Sequence, residues 1–123
     1  MKHKAHLAHC RDMKDYITKD MKNGILKIVI LSMVKRGNYY PYLLLKDIKK
    51  FGPKFIINKD IKNNVYNTLQ ALENGGYIKA QHIIEDDKSK KYYRITKVGI
   101  GALDKTRLMM SKAFKEAMKT FDD

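Results

Sequence analysis

The alternation of apolar and polar positions divides the chain into helical stretches and one hairpin. Residues 1–11 (MKHKAHLAHCR) carry no clean apolar stripe, so they are expected as a frayed terminus or the start of a first helix running to about Met21. From Asn23 to Lys35, Ile25, Leu26, Ile28, Val29, Leu31, Met33 and Val34 make a helix apolar nearly all round, which places it in the middle of the fold. Gly37-Asn38 ends it. Pro41 suits a first helical turn, and Tyr42 to Phe51 forms a second, short helix with Leu44, Leu45 and Ile48 inward, closed by Gly52-Pro53.

Lys54 to Asn58 leads into a third helix, with Asn58 or Asp60 as the expected N-cap. Within Asn63 to Ile78 the apolar positions are Val65, Leu69 and Leu72, and Gly75-Gly76 stops the helix. The opposite face is rich in amides: Asn63, Asn64, Asn67 and Gln70. Two short helices joined by a turn form a helix-turn-helix candidate, and an amide face of this kind matches base edges in a major groove.

Tyr77 to Ile84 is β-branched and aromatic, residues 85–90 (EDDKSK) are polar, and Lys91 to Thr96 returns as a second strand. A hairpin in this position is the wing of a winged helix. From Thr96, a plausible N-cap, one long helix runs through Ala117 or beyond. Its seam of Met110, Phe114, Ala117 and Phe121, with Leu103 one heptad earlier, has the spacing of a pairing helix and predicts a homodimer. The expected fold class is therefore α+β and mostly helical, a winged helix-turn-helix with a two-stranded wing and a long C-terminal helix. The expected division is 1–22 as an N-terminal extension or first helix, 23–99 as the DNA-binding unit and 100–123 as the dimerisation helix.

At 123 residues the chain is sized for one core. Its 26 basic against 13 acidic residues give a net charge of +13, which points to a polyanionic partner. An AT-rich genome also favours lysine, and 22 of the 26 basic residues are lysines. Distribution argues against composition alone, because residues 25–80 carry ten basic and three acidic groups, the largest excess of any segment. The single Cys10 forms no internal disulfide, and the apolar run Ile25 to Val34, interrupted by Lys27, is too short to span a bilayer. A cytoplasmic location without a membrane partner is expected.

Base edges are assigned first to Asn63, Asn67 and Gln70, because a carboxamide pairs bidentately with adenine, with Lys59, Lys62, Asn64 and Tyr66 completing the DNA-facing set. Lys46, Lys49 and Lys50 on the preceding helix, and Lys88, Lys90 and Lys91 at the tip of the wing, are assigned to phosphates. His3, His6, His9 and Cys10 form a spacing that suits zinc, copper or nickel, and gating by a metal or small molecule is the second reading; a mobile terminus is the plain account of the same residues. A protein-interaction module that binds no DNA is a third.

Catalysis is not expected. Asp86-Asp87 suits a turn better than acid–base chemistry, His82 suits a structural role, and Gly99-x-Gly101 lacks the third glycine and the lysine of a phosphate loop. No cofactor is expected.

Successive segments also resemble the PadR-like winged-helix regulators: Leu26 to Val34, Tyr40-Pro41-Tyr42, Val65 to Ile78 and Lys91 to Gly99. The most specific parts are Tyr66, Leu69, Leu72 and Gly76, and the run Tyr92-Tyr93-Arg94-Ile95-Thr96-x-x-Gly99. The resemblance covers Asn23 to Gly99. Pro41 stands where the family usually has glycine, and Asn67 where it usually has proline. The resemblance implies a homodimeric transcription factor, usually a repressor, whose last helix pairs with a partner subunit and whose dimer interface takes an aromatic or drug-like effector. The residues themselves identify neither the effector nor the operator.

Overall fold

The computed structural model describes the backbone of residues 2–122 and the side chains of residues 18–122. The element order is α1 (Lys2–Arg36), α2 (Pro41–Phe51), a 3-10 turn (Lys54–Ile56), α3 (Ile61–Asn74), β1 (Ile78–Glu85), β2 (Lys88–Ile95) and α4 (Lys97–Asp122). No break separates the amino-terminal stretch from the helix expected at Asn23. The backbone passes through Gly24 as one helix of 35 residues, about 52 Å long.

α1 is the beam on which the rest is laid. Leu26, Ile30, Leu31 and Val34 face the core, where they meet Leu44, Leu45 and Ile48 of α2 and Ile61, Val65, Leu69 and Leu72 of α3. Pro41 occupies the first turn of α2, as its fixed φ and missing N–H favour. Ile56 from the 3-10 turn, Ile78 and Tyr93 from the hairpin, and Leu103 from α4 complete one cluster. No polar side chain among the described residues is buried.

The entry to α3 differs from expectation. Asp60 holds the N-cap position, but its side chain makes no capping bond. The Asn58 side chain instead accepts from the Asp60 N–H at 2.9 Å, forming a turn ahead of the helix, while the Asp60 carbonyl accepts from Asn64 N–H. The exit follows the glycines. Gly76 N–H donates to the Glu73 carbonyl and Tyr77 N–H to that of Leu72, with Gly76 at φ +78°, so the helix closes in a Schellman motif that needs the left-handed glycine.

β1 and β2 pair antiparallel from Ile78–Ile95 to Glu85–Lys88. The turn is only Asp86-Asp87, both at positive φ (49° and 61°), rather than the six residues expected. Positive φ at both central positions suits a two-residue hairpin, and aspartate tolerates it better than most side chains, so the strands reach further than composition suggests. Beside β2, Tyr93 N–H donates to the Tyr39 carbonyl and adds a one-residue third strand.

The Thr96 hydroxyl joins three elements. It donates to the Gly76 carbonyl at 2.6 Å, with the Tyr77 carbonyl at 3.1 Å, and accepts from the Gly99 N–H at 3.0 Å, so the expected cap of α4 is in place. A Cβ on Gly99 would collide with the Tyr77 carbonyl oxygen.

Leu103 corrects the expected seam. It is 0% exposed and belongs to this chain's own core, so the heptad that includes it faces α1 at its start and leaves the core only beyond Met110. Ala117 is exposed, as are Phe114 (49%) and Phe121 (81%).

Thr96→Val is expected to lower the unfolding free energy by about 1 kcal/mol in a urea titration, the usual cost of a lost N-cap. Leu103→Ala is expected to cost about 2–5 kcal/mol because it opens a cavity in the shared core. A Leu103→Ala variant with wild-type stability would contradict this placement.

Candidate nucleic-acid interface

α3 presents a buried row and an exposed row because the apolar residues recur at helical spacing. Opposite Ile61, Val65, Leu69 and Leu72, the side chains of Lys62, Asn63, Tyr66, Asn67 and Gln70 are exposed, and Lys59 is exposed just before the helix. Asn64 stands apart from this set. It is half-buried and turned towards α1, where it lines a groove with Lys19 and Asn23. Asn67 lies in the interior of α3, where a proline would remove a rung of the helical ladder.

On α2, Lys46, Lys49 and Lys50 are all exposed, and the Lys50 ammonium lies 5.3 Å from the centre of the Phe51 ring. Tyr42 shares the face of Lys46 and Lys49 and is 65% exposed. Its place on the polar side of the helix is legible from the i, i+4 spacing to Lys46, but an aromatic at that position reads as core. Phe51 is likewise exposed at the end of α2, at 74%.

The wing lysines do not form one tip cluster. The turn itself carries Asp86 and Asp87, so the extreme end is acidic. Lys88 is exposed beside it, opposite Glu85. The Lys90 ammonium stands 3.6 Å from the Glu85 carboxylate and 5.1 Å from the centre of the Tyr40 ring. Tyr92 donates from its hydroxyl to Glu85 and meets Tyr40 edge-on with ring centroids 5.5 Å apart. Burial and then the Glu85 bond hold the Tyr92 hydroxyl above its ordinary pKa.

Lys91 faces the other way. It donates to the Glu73 carboxylate of α3 at 3.2 Å and lies over the Tyr93 ring. Tyr93 first, and Glu73 after it, raise its pKa above the ordinary lysine value against the opposing effect of burial. Lys90 and Lys91 therefore fix the wing, one to the start of α2 and one to the end of α3. Their expected placement at the tip is corrected by register, because the two-residue turn puts them two and three positions up the strand from Lys88.

Register also reveals two residues that linear reading missed. Lys79 and Arg94 are directly opposite one another and both exposed. Like charges at such positions repel, so the pair adds no stability by itself and concentrates positive charge at the root of the wing. At the root of α2, the Tyr39 hydroxyl donates to Asp47 at 3.1 Å, and burial followed by that bond raises its pKa.

His3, His6, His9 and Cys10 lie outside the residues whose side chains are described. Among the described residues no group of three histidine, cysteine or carboxylate side chains is placed to hold a metal ion, and His82 is an exposed strand residue opposite Lys91. No helix of the described residues is long and apolar enough to cross a membrane.

The same arrangement recurs in known proteins. A PadR family transcriptional regulator from Eggerthella lenta superposes with a TM-score of 0.72 at 23% identity, over 93% of this chain and 96% of that one. A transcriptional regulator from Clostridium thermocellum gives 0.68 at 27% identity, over 83% and 94%. Bacillus subtilis PadR, in a crystal structure with operator DNA, gives 0.60 at 24% identity, over 76% of this chain and 59% of that one. No curated protein matches by sequence. The sequence model of the transcriptional regulator PadR-like family matches residues 30–105, from the last turns of α1 through the winged helix into α4, and the chain belongs to that family.

Proposed function

We propose that this protein binds double-stranded DNA as a homodimer and represses transcription from a palindromic site. The observation that carries the reading is the exposed row of Asn63, Asn67 and Gln70 on α3, flanked by lysines and by the wing. Carboxamides supply the donor and acceptor that complement the N7 acceptor and N6 donor of an adenine edge in a major groove, and lysines supply charge for phosphates. The likeness of fold to Bacillus subtilis PadR, which was crystallised with operator DNA, supports DNA binding here.

In this reading residues 23–99 are the DNA-binding unit. Lys59, Lys62, Tyr66, Lys46, Lys49, Lys50 and Lys88 grip the backbone. Lys79 and Arg94 join them as an anion site at the root of the wing. Residues 100–123 pair the subunits through Met110, Phe114, Ala117 and Phe121, setting two copies of α3 about 34 Å apart along the duplex. The exposed aromatic rings on the last turns of α4 support pairing, since a lone domain gains nothing from leaving them in water.

Fluorescence anisotropy with promoter duplexes across a salt series tests DNA binding. Log affinity is expected to fall with log salt by about 0.9 for each phosphate neutralised, and a flat dependence contradicts the reading. Asn67→Ala is expected to cost about 1–3 kcal/mol on a selected site and to relax preference at one base pair while leaving non-specific binding intact. Phe114→Ser with Phe121→Ser is expected to yield monomers in sedimentation velocity, and dimers of wild-type strength from this variant would remove α4 as the pairing element.

A further inference from the structure

α1 changes character along the face that it turns towards α3. Reading back from Val34 at helical spacing, the stripe is Val34, Ile30, Lys27, Asn23, Lys19. It is apolar where it fills the core and becomes lysine, asparagine, lysine where it passes α3. Lys19, Asn23 and Lys27 are all exposed, so this part of α1 reaches solvent directly beside α3 instead of filling the core.

The polar part of the stripe forms one wall of a groove. A cleft of about 350 Å³ lies between Lys19, Asn23 and Lys27 of α1 and Asn64, Asn67 and Thr68 of α3. It is continuous, through Lys19, Asn23 and Asn64, with one of about 570 Å³ near the start of α3 that Lys22 also lines. Lys22 lies with its ammonium 5.4 Å from the centre of the Phe55 ring. Among the described residues, Asp60 is the carboxylate that lines the larger cleft, and none lines the smaller one. None of Lys19, Lys22 and Lys27 is ion-paired to a described carboxylate. The smaller cleft thus offers ammonium, amide N–H and hydroxyl donors together, the donor set that phosphodiester oxygens take.

Its position is set by the helix geometry of α3. Glu73 bonds the wing through Lys91, whereas Asn64, nine residues earlier, lies about 180° away around the axis and faces α1. Asn63, Asn67 and Gln70 fall on the ridge between these two flanks. The wing guards one side of that ridge and the Lys19–Asn23–Lys27 row the other.

We propose that α1 is itself a DNA-contacting element, with Lys19, Asn23 and Lys27 holding the phosphodiester strand on the flank of α3 opposite the wing. The inference rests on the DNA-binding reading above and adds a residue set to it. Lys19 and Lys27 are eight residues apart, about 12 Å along the axis, enough to touch more than one phosphate of a strand. Asn67 lines the cleft as well as the exposed ridge, so the strand held by α1 also fixes the depth at which that amide meets a base.

The test compares four proteins by anisotropy on a fluorescein-labelled duplex of mixed sequence across a salt series, with thermal melts followed by circular dichroism. They are wild type, Lys19→Gln/Lys27→Gln, Lys19→Arg/Lys27→Arg, and Lys112→Gln/Lys115→Gln on α4 as a charge-matched control. The glutamine pair on α1 is expected to reduce the slope of log affinity against log salt by about 1.8, so that its loss of affinity between roughly 50 and 200 mM salt is about twelvefold smaller than that of wild type. The arginine pair and the α4 pair are expected to keep the wild-type slope, and all four to melt alike. A wild-type slope in the α1 glutamine pair overturns the contact while leaving DNA binding standing. An equal fall in the α4 control overturns it too, since net charge alone would then account for the effect. A wild type that binds no duplex overturns the DNA-binding reading and this inference together.

Discussion

One hydroxyl group holds the exit of α3, the end of the wing and the start of α4 in register. Thr96 bonds the Gly76 carbonyl on one side and the Gly99 N–H on the other, and its own N–H donates to the Tyr77 carbonyl. Gly99 lets the backbones approach closely enough for these bonds to form together. The Schellman turn at Gly76 aims the chain into β1, and the cap at Thr96 aims it out of β2 along α1. The angles between the exposed ridge, the hairpin and the last helix all depend on this half-buried junction.

The division of labour between residue types follows from their chemistry. Lysine is a compact point charge on a flexible stem and attracts phosphate without fixing its orientation, whereas the guanidinium of arginine or a carboxamide sets both. With 22 lysines and only four arginines in the whole chain, geometric precision at the proposed DNA-binding surface falls to the amides and to the elements that carry them. The ion pair of Lys91 with Glu73 and the contacts of Lys90 with Tyr40 and Glu85 spend two wing charges on rigidity. They hold the hairpin at a fixed distance from α3.

Periodicity made most of the fold legible. The apolar runs located α2, α3, both strands and α4, and the glycine pair at 75–76 marked the turn between α3 and the wing. What stayed hidden depended on pairing or on packing between distant segments. Lys79 and Arg94 are 15 residues apart and become neighbours only through a register set by a two-residue turn, and aspartate at both positive-φ positions is a weak signal for that turn. Leu103 fits a pairing seam by its spacing, yet α1 covers it, because a heptad pattern records which face is apolar and not what covers it. Asn64 was legible as polar, but its turn towards α1 required the two helices to be laid side by side.

The single-residue pairing of Tyr39 with Tyr93 has a consequence for how the molecule assembles. The helices and the hairpin are built from contacts close in the chain, whereas this bridge joins positions 54 apart. Closing so long a loop costs entropy that one hydrogen bond at 2.9 Å cannot offset by itself. The bridge therefore rests on the packing of α1 and α2, which carries Tyr39 to the edge of the hairpin, where its hydroxyl also bonds Asp47. So short a backbone pairing reports on tertiary packing, since the Tyr93 N–H keeps its partner only while the helices and the hairpin stay together.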